Sequence, residues 1–100
     1  MKHSEALAII DRLVHTERER AHAKHGITSM RHQGPLDERR YRILVEEVGE
    51  VAQVWNDHDH GKVSRQMLAD TIIDELVQVA AMASDWAAAI ATAKNNGSFD

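Results

Sequence analysis

The sequence predicts an all-α protein: one domain over residues 1–100, a helical bundle of three main helices completed by homo-oligomerisation. Three observations carry that prediction. The 43% apolar content includes 14 Ala but only two Trp, one Tyr and one Phe, with one Pro and five Gly. Aromatics and turn residues are too few for a β-sandwich, and the mixture suits helices. Apolar residues also recur every three to four positions along three long segments, which is the helical period. Finally, the third segment is apolar on nearly all sides, and two other helices of so short a chain cannot cover it.

The first helix is expected over residues 4–25, with Ser4 as its N-cap and Gly26 as its stop. Leu7, Ile10, Leu13 and Val14 form its apolar stripe. Glu17 and Lys24 fall where the stripe should continue, so the last turns are expected to leave the core. Residues 26–34 read as a connecting loop. Pro35 fits the first position of a second helix, 35–57, with Asp37 and Glu38 complementing the dipole in its first turn. Val45, Val48, Val51 and Val54 repeat every three residues there, so the valines mark a helix rather than a strand.

Residues 56–61 form a polar turn, and the third helix is expected over 64–94, ended by Asn95-Asn96-Gly97 within a polar tail of residues 95–100. Ile72, Leu76, Val79, Ala83, Trp86 and Ile90 line one of its faces; Val77, Ala81 and Ala88 line another, nearly opposite. Such a helix belongs at the centre of an oligomer, a homodimer or a dimer of dimers.

Net charge is −4, from 12 basic and 16 acidic residues, which argues against a binder of nucleic acid polymers. Without Cys there is no disulfide, thiolate nucleophile or sulfur-ligated zinc site. Apolar runs are short, so no membrane span and no signal-peptide core are expected, and the chain reads as cytoplasmic. No phosphate-cradling glycine loop or nucleophile elbow is visible.

The chemistry concentrates in carboxylates. Glu46, Glu47 and Glu50 share one side of the second helix, with Ile43 and Val54 on that same side a turn before and after. Side chains three and four apart sit about 5–6 Å from each other. Two carboxylates at that spacing repel by roughly 3 kcal/mol at an effective dielectric near 20. Three of them in one turn, partly desolvated, need a cation or must take up protons. On the third helix Asp74 and Glu75 follow an apolar stretch, and antiparallel packing brings Glu75 opposite Glu47 and Glu50. A lone Glu-Glu-x-x-Glu is usually a solvated face; two acidic clusters on successive helices, each against an apolar seam, favour a metal site. An all-oxygen donor set suits Mg²⁺, or Mn²⁺, better than zinc. Gly49 costs about 1 kcal/mol against Ala in a helix interior, which suggests a close backbone approach.

Glu46-Glu47-Val48-Gly49-Glu50, followed on the next helix by Glu75-Leu76-Val77-Gln78, resembles the MazG-like family of all-α nucleoside triphosphate pyrophosphohydrolases over roughly residues 36–90. The family carries Glu-Glu-x-x-Glu on one helix and Glu-x-x-Asp on the next. The resemblance implies a dimeric helical bundle in which Glu47, Glu50, Glu75 and the residue at 78 bind Mg²⁺. Gln78 stands here where the family has Asp. An amide oxygen still ligates Mg²⁺ but brings no charge, and Asp74, about 40° from Gln78 on the helical wheel, is placed to compensate.

Arg31, Arg39, Arg40, Lys62 and Arg65 flank the ends of the second and third helices and read by default as solvated surface charge; beside a Mg²⁺-bound triphosphate, one or two of them would neutralise the remaining phosphate charge. His22 and His25, like His58 and His60, read as solvated. Asp57 and Asp59 beside the second pair leave an adventitious metal loop as the other reading. Trp55 and Trp86 read as core residues. The expected function is therefore Mg²⁺-dependent cleavage of a nucleoside triphosphate to the monophosphate and pyrophosphate. Glu46 is the candidate to orient or deprotonate water. The competing expectation is a catalytically impaired nucleotide- or protein-binding module of the same fold.

Overall fold

The computed structural model describes residues 1–26 and 34–97, and these form three α-helices without a strand. α1 spans His3–His25, α2 Glu38–Asp59 and α3 Arg65–Asn95. The expected Arg31 and the centre of the first loop lie outside the described residues, as does the end of the polar tail.

Helix boundaries follow local chemistry. Ser4 lies inside α1, and Lys2 occupies the cap position without a side-chain bond, so the expected Ser4 cap is not formed. Gly26 does end the helix: at φ 56° it takes a positive-φ conformation that suits glycine, while its N–H reaches the His22 carbonyl. Pro35 sits in a turn before α2 rather than at its first position. Asp37 is the true cap, its Oδ1 accepting from Arg39 N at 2.9 Å. Ser64 caps α3 by accepting from Met67 N at 3.2 Å. Between α2 and α3, Gly61 at φ 72° makes the turn that reverses the chain.

α3 is central. α2 packs antiparallel to it and α1 runs parallel on another side. Two hydrogen bonds fix the entry to α2: Trp86 Nε1 donates to the Pro35 carbonyl at 2.7 Å, and Arg40 Nε donates to the Gly34 carbonyl at 2.8 Å. Arg40 is fully buried, with the charges of Asp85 and Asp37 opposing its desolvation. It serves this junction and not the surface where the sequence put it.

The apolar core is thin. Leu68, Val77, Ala81 and Ala93, all on α3, are the buried hydrophobic residues, and α1 contributes none. The face of α3 bearing Val77 and Ala81 is therefore the more deeply buried one. The expected main face is only partly covered, with Leu76 51% exposed. Tyr41, Val45, Val48 and Trp55 form an exposed stripe at helical spacing on α2, which corrects the expectation that Trp55 lies in the core. Accessible surface is 7133 Å², against about 5,700 Å² for a compact monomer of this mass. The radius of gyration is 15.7 Å, where about 13 Å is usual for a domain of this length.

α3 is the longest and most apolar of the three helices. An 18-residue window with mean hydropathy 1.3 makes it long and apolar enough, by length and composition alone, to cross a bilayer. The central helix of a helical assembly meets the same criterion.

Candidate metal centre

α2 and α3 meet with their carboxylates facing. One carboxylate oxygen each from Glu47, Glu50 and Glu75 lies within 4.8 Å of the others. Glu47 and Glu50 share a face because three residues make nearly one turn, and the antiparallel crossing sets Glu75 against both. Glu47 and Glu75 are half-buried, while Glu50 closes the cluster from the solvent side. The Oε2 atoms of Glu47 and Glu75 are buried and accept no hydrogen bond. Leaving a buried acceptor unsatisfied costs about 1–3 kcal/mol, more for a charged one.

Electrostatics record the same crowding. Glu75 is pushed up to about 7, first by burial, then by its hydrogen-bonding approach to Glu50 and by the charges of Glu50, Glu47 and Asp74. Burial is also the main cause raising Glu47, followed by Glu50, Glu17 and Glu46. Without a counter-charge, the cluster stays together by holding protons. The donors are hard oxygens, two of them buried and unsatisfied, and this fits a divalent cation such as Mg²⁺ or Mn²⁺.

The other expected site residues divide. Gln78 is half-buried and lines a cavity together with Glu47. Asp74 is exposed, outside the three-carboxylate cluster, and borders a shallower hollow with Leu13 and Thr16. Glu46 is exposed and acts on Glu47 through its charge. Arg39 is tied to Asp37 at 2.6 Å, and Lys62 stands 4.0 Å from Asp57. Arg65 opens α3 in an exposed position. Arg39 and Arg65 are more than two helical turns from the cluster, over about 10 Å along their helices, and Lys62 lies in the turn beyond α2.

One reading fails on inspection. Gly49 is exposed, and a Cβ added there meets nothing within 4 Å, so no close approach within the chain explains it. His58 Nδ1 lies 3.0 Å from the Val63 carbonyl and His60 Nδ1 2.8 Å from that of Asn56, so both rings are tied to the turn backbone through Nδ1. The last turns of α1 contribute no buried residue, as expected, while Glu17, Arg18, Ala21 and His22 are half-buried. Arg18 Nη1 donates to Ser84 Oγ at 3.0 Å across 66 residues of sequence. The interruption of the stripe by Glu17 and Lys24 was the available signal for these residues, and it marks a polar cavity.

Compared with protein-family models, curated proteins and solved structures, the chain gives no match in any of the three. Fold and cluster define it as an all-α protein in which three carboxylates from two helices converge.

Proposed function

We propose that this protein is a Mg²⁺-dependent nucleotide pyrophosphohydrolase, cleaving a nucleoside triphosphate to the monophosphate and pyrophosphate in a MazG-like homo-oligomer. The convergence of Glu47, Glu50 and Glu75, with two buried unsatisfied oxygens, carries the reading. Resemblance of the two Glu motifs to the family supplies the substrate class. These three carboxylates would hold the cation, with Gln78 as a neutral neighbour. When bound there, the ion would supply charge neutralisation at the phosphate and a lower pKa for the attacking water. Water adds at the α-phosphorus, the bond to the β-phosphate bridging oxygen breaks, and pyrophosphate leaves. Glu46, exposed one residue before Glu47, is the group assigned to take the water's proton.

Oligomerisation rests on the exposed stripes of α2 and α3 and on about 1,400 Å² of surface beyond a compact monomer's expectation. That excess exceeds the roughly 800 Å² per partner of a standard interface.

Gln78 favours a second reading. A neutral amide beside Glu47 lowers the charge available to a cation, as expected of a nucleotide- or protein-binding module that has lost turnover. Pyrophosphate release from a panel of nucleoside triphosphates with Mg²⁺ or Mn²⁺ decides between them. Release abolished by Glu47→Gln and Glu75→Gln supports the enzyme. Nucleotide binding without release supports the module.

A further inference from the structure

Arg40 is the one buried charged side chain among the described residues, and it is buried completely. Burial disfavours its charge, which Asp85 and, after it, Asp37 support from nearby. Its Nε donates to the Gly34 carbonyl at 2.8 Å. The residue after Asp85 on α3, Trp86, donates from Nε1 to the neighbouring Pro35 carbonyl at 2.7 Å. The start of α2 is thus fastened to one place on α3, by a charge and by a hydrogen bond from adjacent residues.

That place stands at a fixed distance from the carboxylates. Ten residues separate Arg40 from Glu50 on α2, and ten separate Asp85 from Glu75 on α3, about 15 Å along each helix. In antiparallel helices, the register that sets Arg40 beside Asp85 therefore sets Glu50 beside Glu75, as found. It also sets Ile43 opposite Met82 and Glu47 opposite Gln78, and all four line one cavity. The acidic end opposes this alignment when ionised and without a cation, because its three carboxylates repel. Apolar packing specifies it only weakly. Val77 and Ala81 lie four positions apart between the two ends, so a slip of one turn, about 5.4 Å, brings a similar small residue to the same place. A buried charge differs, since its partner stands at one register alone.

We propose that Arg40 is a positioning residue of the metal site: with Asp85 and the Trp86–Pro35 bond it fixes the register of α2 on α3, and so presents Glu47 and Glu50 to Glu75 before any ion binds. The positioning role rests on the metal reading above; the register does not. Replacing a buried charge pair by apolar side chains often leaves stability unchanged or higher. That separates positioning from mere support of the fold.

The test combines Arg40→Met with Asp85→Leu, and takes Trp86→Phe as a milder variant that keeps a ring and loses the N–H. Because the chain has no Cys, spin labels on Arg42→Cys and Asp70→Cys, both at exposed positions, report one distance between α2 and α3. It is read without metal, in labelled protein diluted with unlabelled chain. Mn²⁺ affinity is measured by titration calorimetry on the unlabelled proteins. The double variant is expected to keep its helical circular dichroism and a Tm near the parent's. Its distance should broaden or shift by about one turn, roughly 5.4 Å, and Mn²⁺ should bind about tenfold more weakly. Trp86→Phe should act in the same direction, by about threefold in affinity, as for one lost hydrogen bond. Should the double variant not fold, the same two readings on Trp86→Phe decide. An unchanged distance overturns the proposal, and so does a changed distance with undiminished Mn²⁺ affinity. A parent that binds no Mn²⁺ overturns the metal reading instead, and the distances still judge the register.

Discussion

Glu47 on α2 and Glu75 on α3 each bury one carboxylate oxygen without a hydrogen-bond partner, and carboxylate oxygens of the pair come within 4.8 Å. Few arrangements within a small helical protein cost more. Each group is ionised in the unfolded chain and free of the other there, so the folded apo state carries repulsion and desolvation that the unfolded state does not. A bound cation removes both liabilities at once, and the tests below separate that situation from a merely acidic surface.

The first expectation is thermodynamic. Metal at about 100 times its dissociation constant adds roughly 2.7 kcal/mol by mass action. For a chain of this size that raises Tm by on the order of 10 °C. Melts in EDTA and in saturating Mg²⁺ measure it. Glu47→Gln should raise the apo Tm and shrink the increment from metal. Identical melts with and without Mg²⁺ in the parent would show that the carboxylates hold no ion.

pH gives an independent handle on the apo protein. Folded Glu75 titrates near 7, above the 4.5 of an unperturbed glutamate. Between those values the folded state binds more protons than the unfolded chain, so stability falls as pH rises through the window. Below about 4.5 both states are protonated; above 7 the penalty is complete. Apo melts should therefore lose several degrees between pH 5.5 and pH 8. Glu75→Gln should reduce that loss and raise Tm at pH 8. A variant that tracks the parent at every pH would place the titration elsewhere.

How much of this was legible in the sequence depends on whether the cause is local. Helical period and charge placement are local, so three helices and the pairing of Glu75 with Glu47 and Glu50 could be read from the wheel. The role of α1 could not. Arg18 meets Ser84 only through the packing of helices distant in sequence, and periodicity shows Glu17 and Lys24 merely as breaks in a stripe. Arg40 looked like one of several surface cations because nothing in the neighbouring residues announces Gly34 and Asp85 as its surroundings. Trp55 was assigned to the core because its face is apolar, but in one chain that face meets nothing.

Assembly is the third expectation. Val48 and Leu76 are each about half exposed on the adjoining helices, 51% in both cases, and both are placed for burial by a second copy. Light scattering coupled to size exclusion should give a dimer or a dimer of dimers at micromolar concentration. Leu76→Lys or Val48→Lys should shift the distribution toward smaller species and lower Tm, since each puts a charge into an apolar contact. An 11.2 kDa monomer for the parent would leave the exposed stripes without explanation.

Gln78 supplies the sharpest test, because one substitution should act with opposite sign in two states. It lines the cavity together with Glu47, one turn beyond Glu75 on the same helix. Gln78→Asp adds a full negative charge beside the cluster. In the apo protein that charge joins the repulsion already raising Glu47 and Glu75, so Tm should fall. With an ion present the same charge is attractive, and Mg²⁺ affinity by calorimetry should rise about tenfold or more before the shorter side chain's strain is felt. Asp74 is exposed and outside the cluster, so Asp74→Asn should change Mg²⁺ affinity little. A large loss in Asp74→Asn, with no gain in Gln78→Asp, would instead make Asp74 the fourth ligand and turn Gln78 away from the ion. A surface position, by contrast, would show neither the apo penalty nor the gain in metal affinity, so the reversal of sign is what ties Gln78 to the cation.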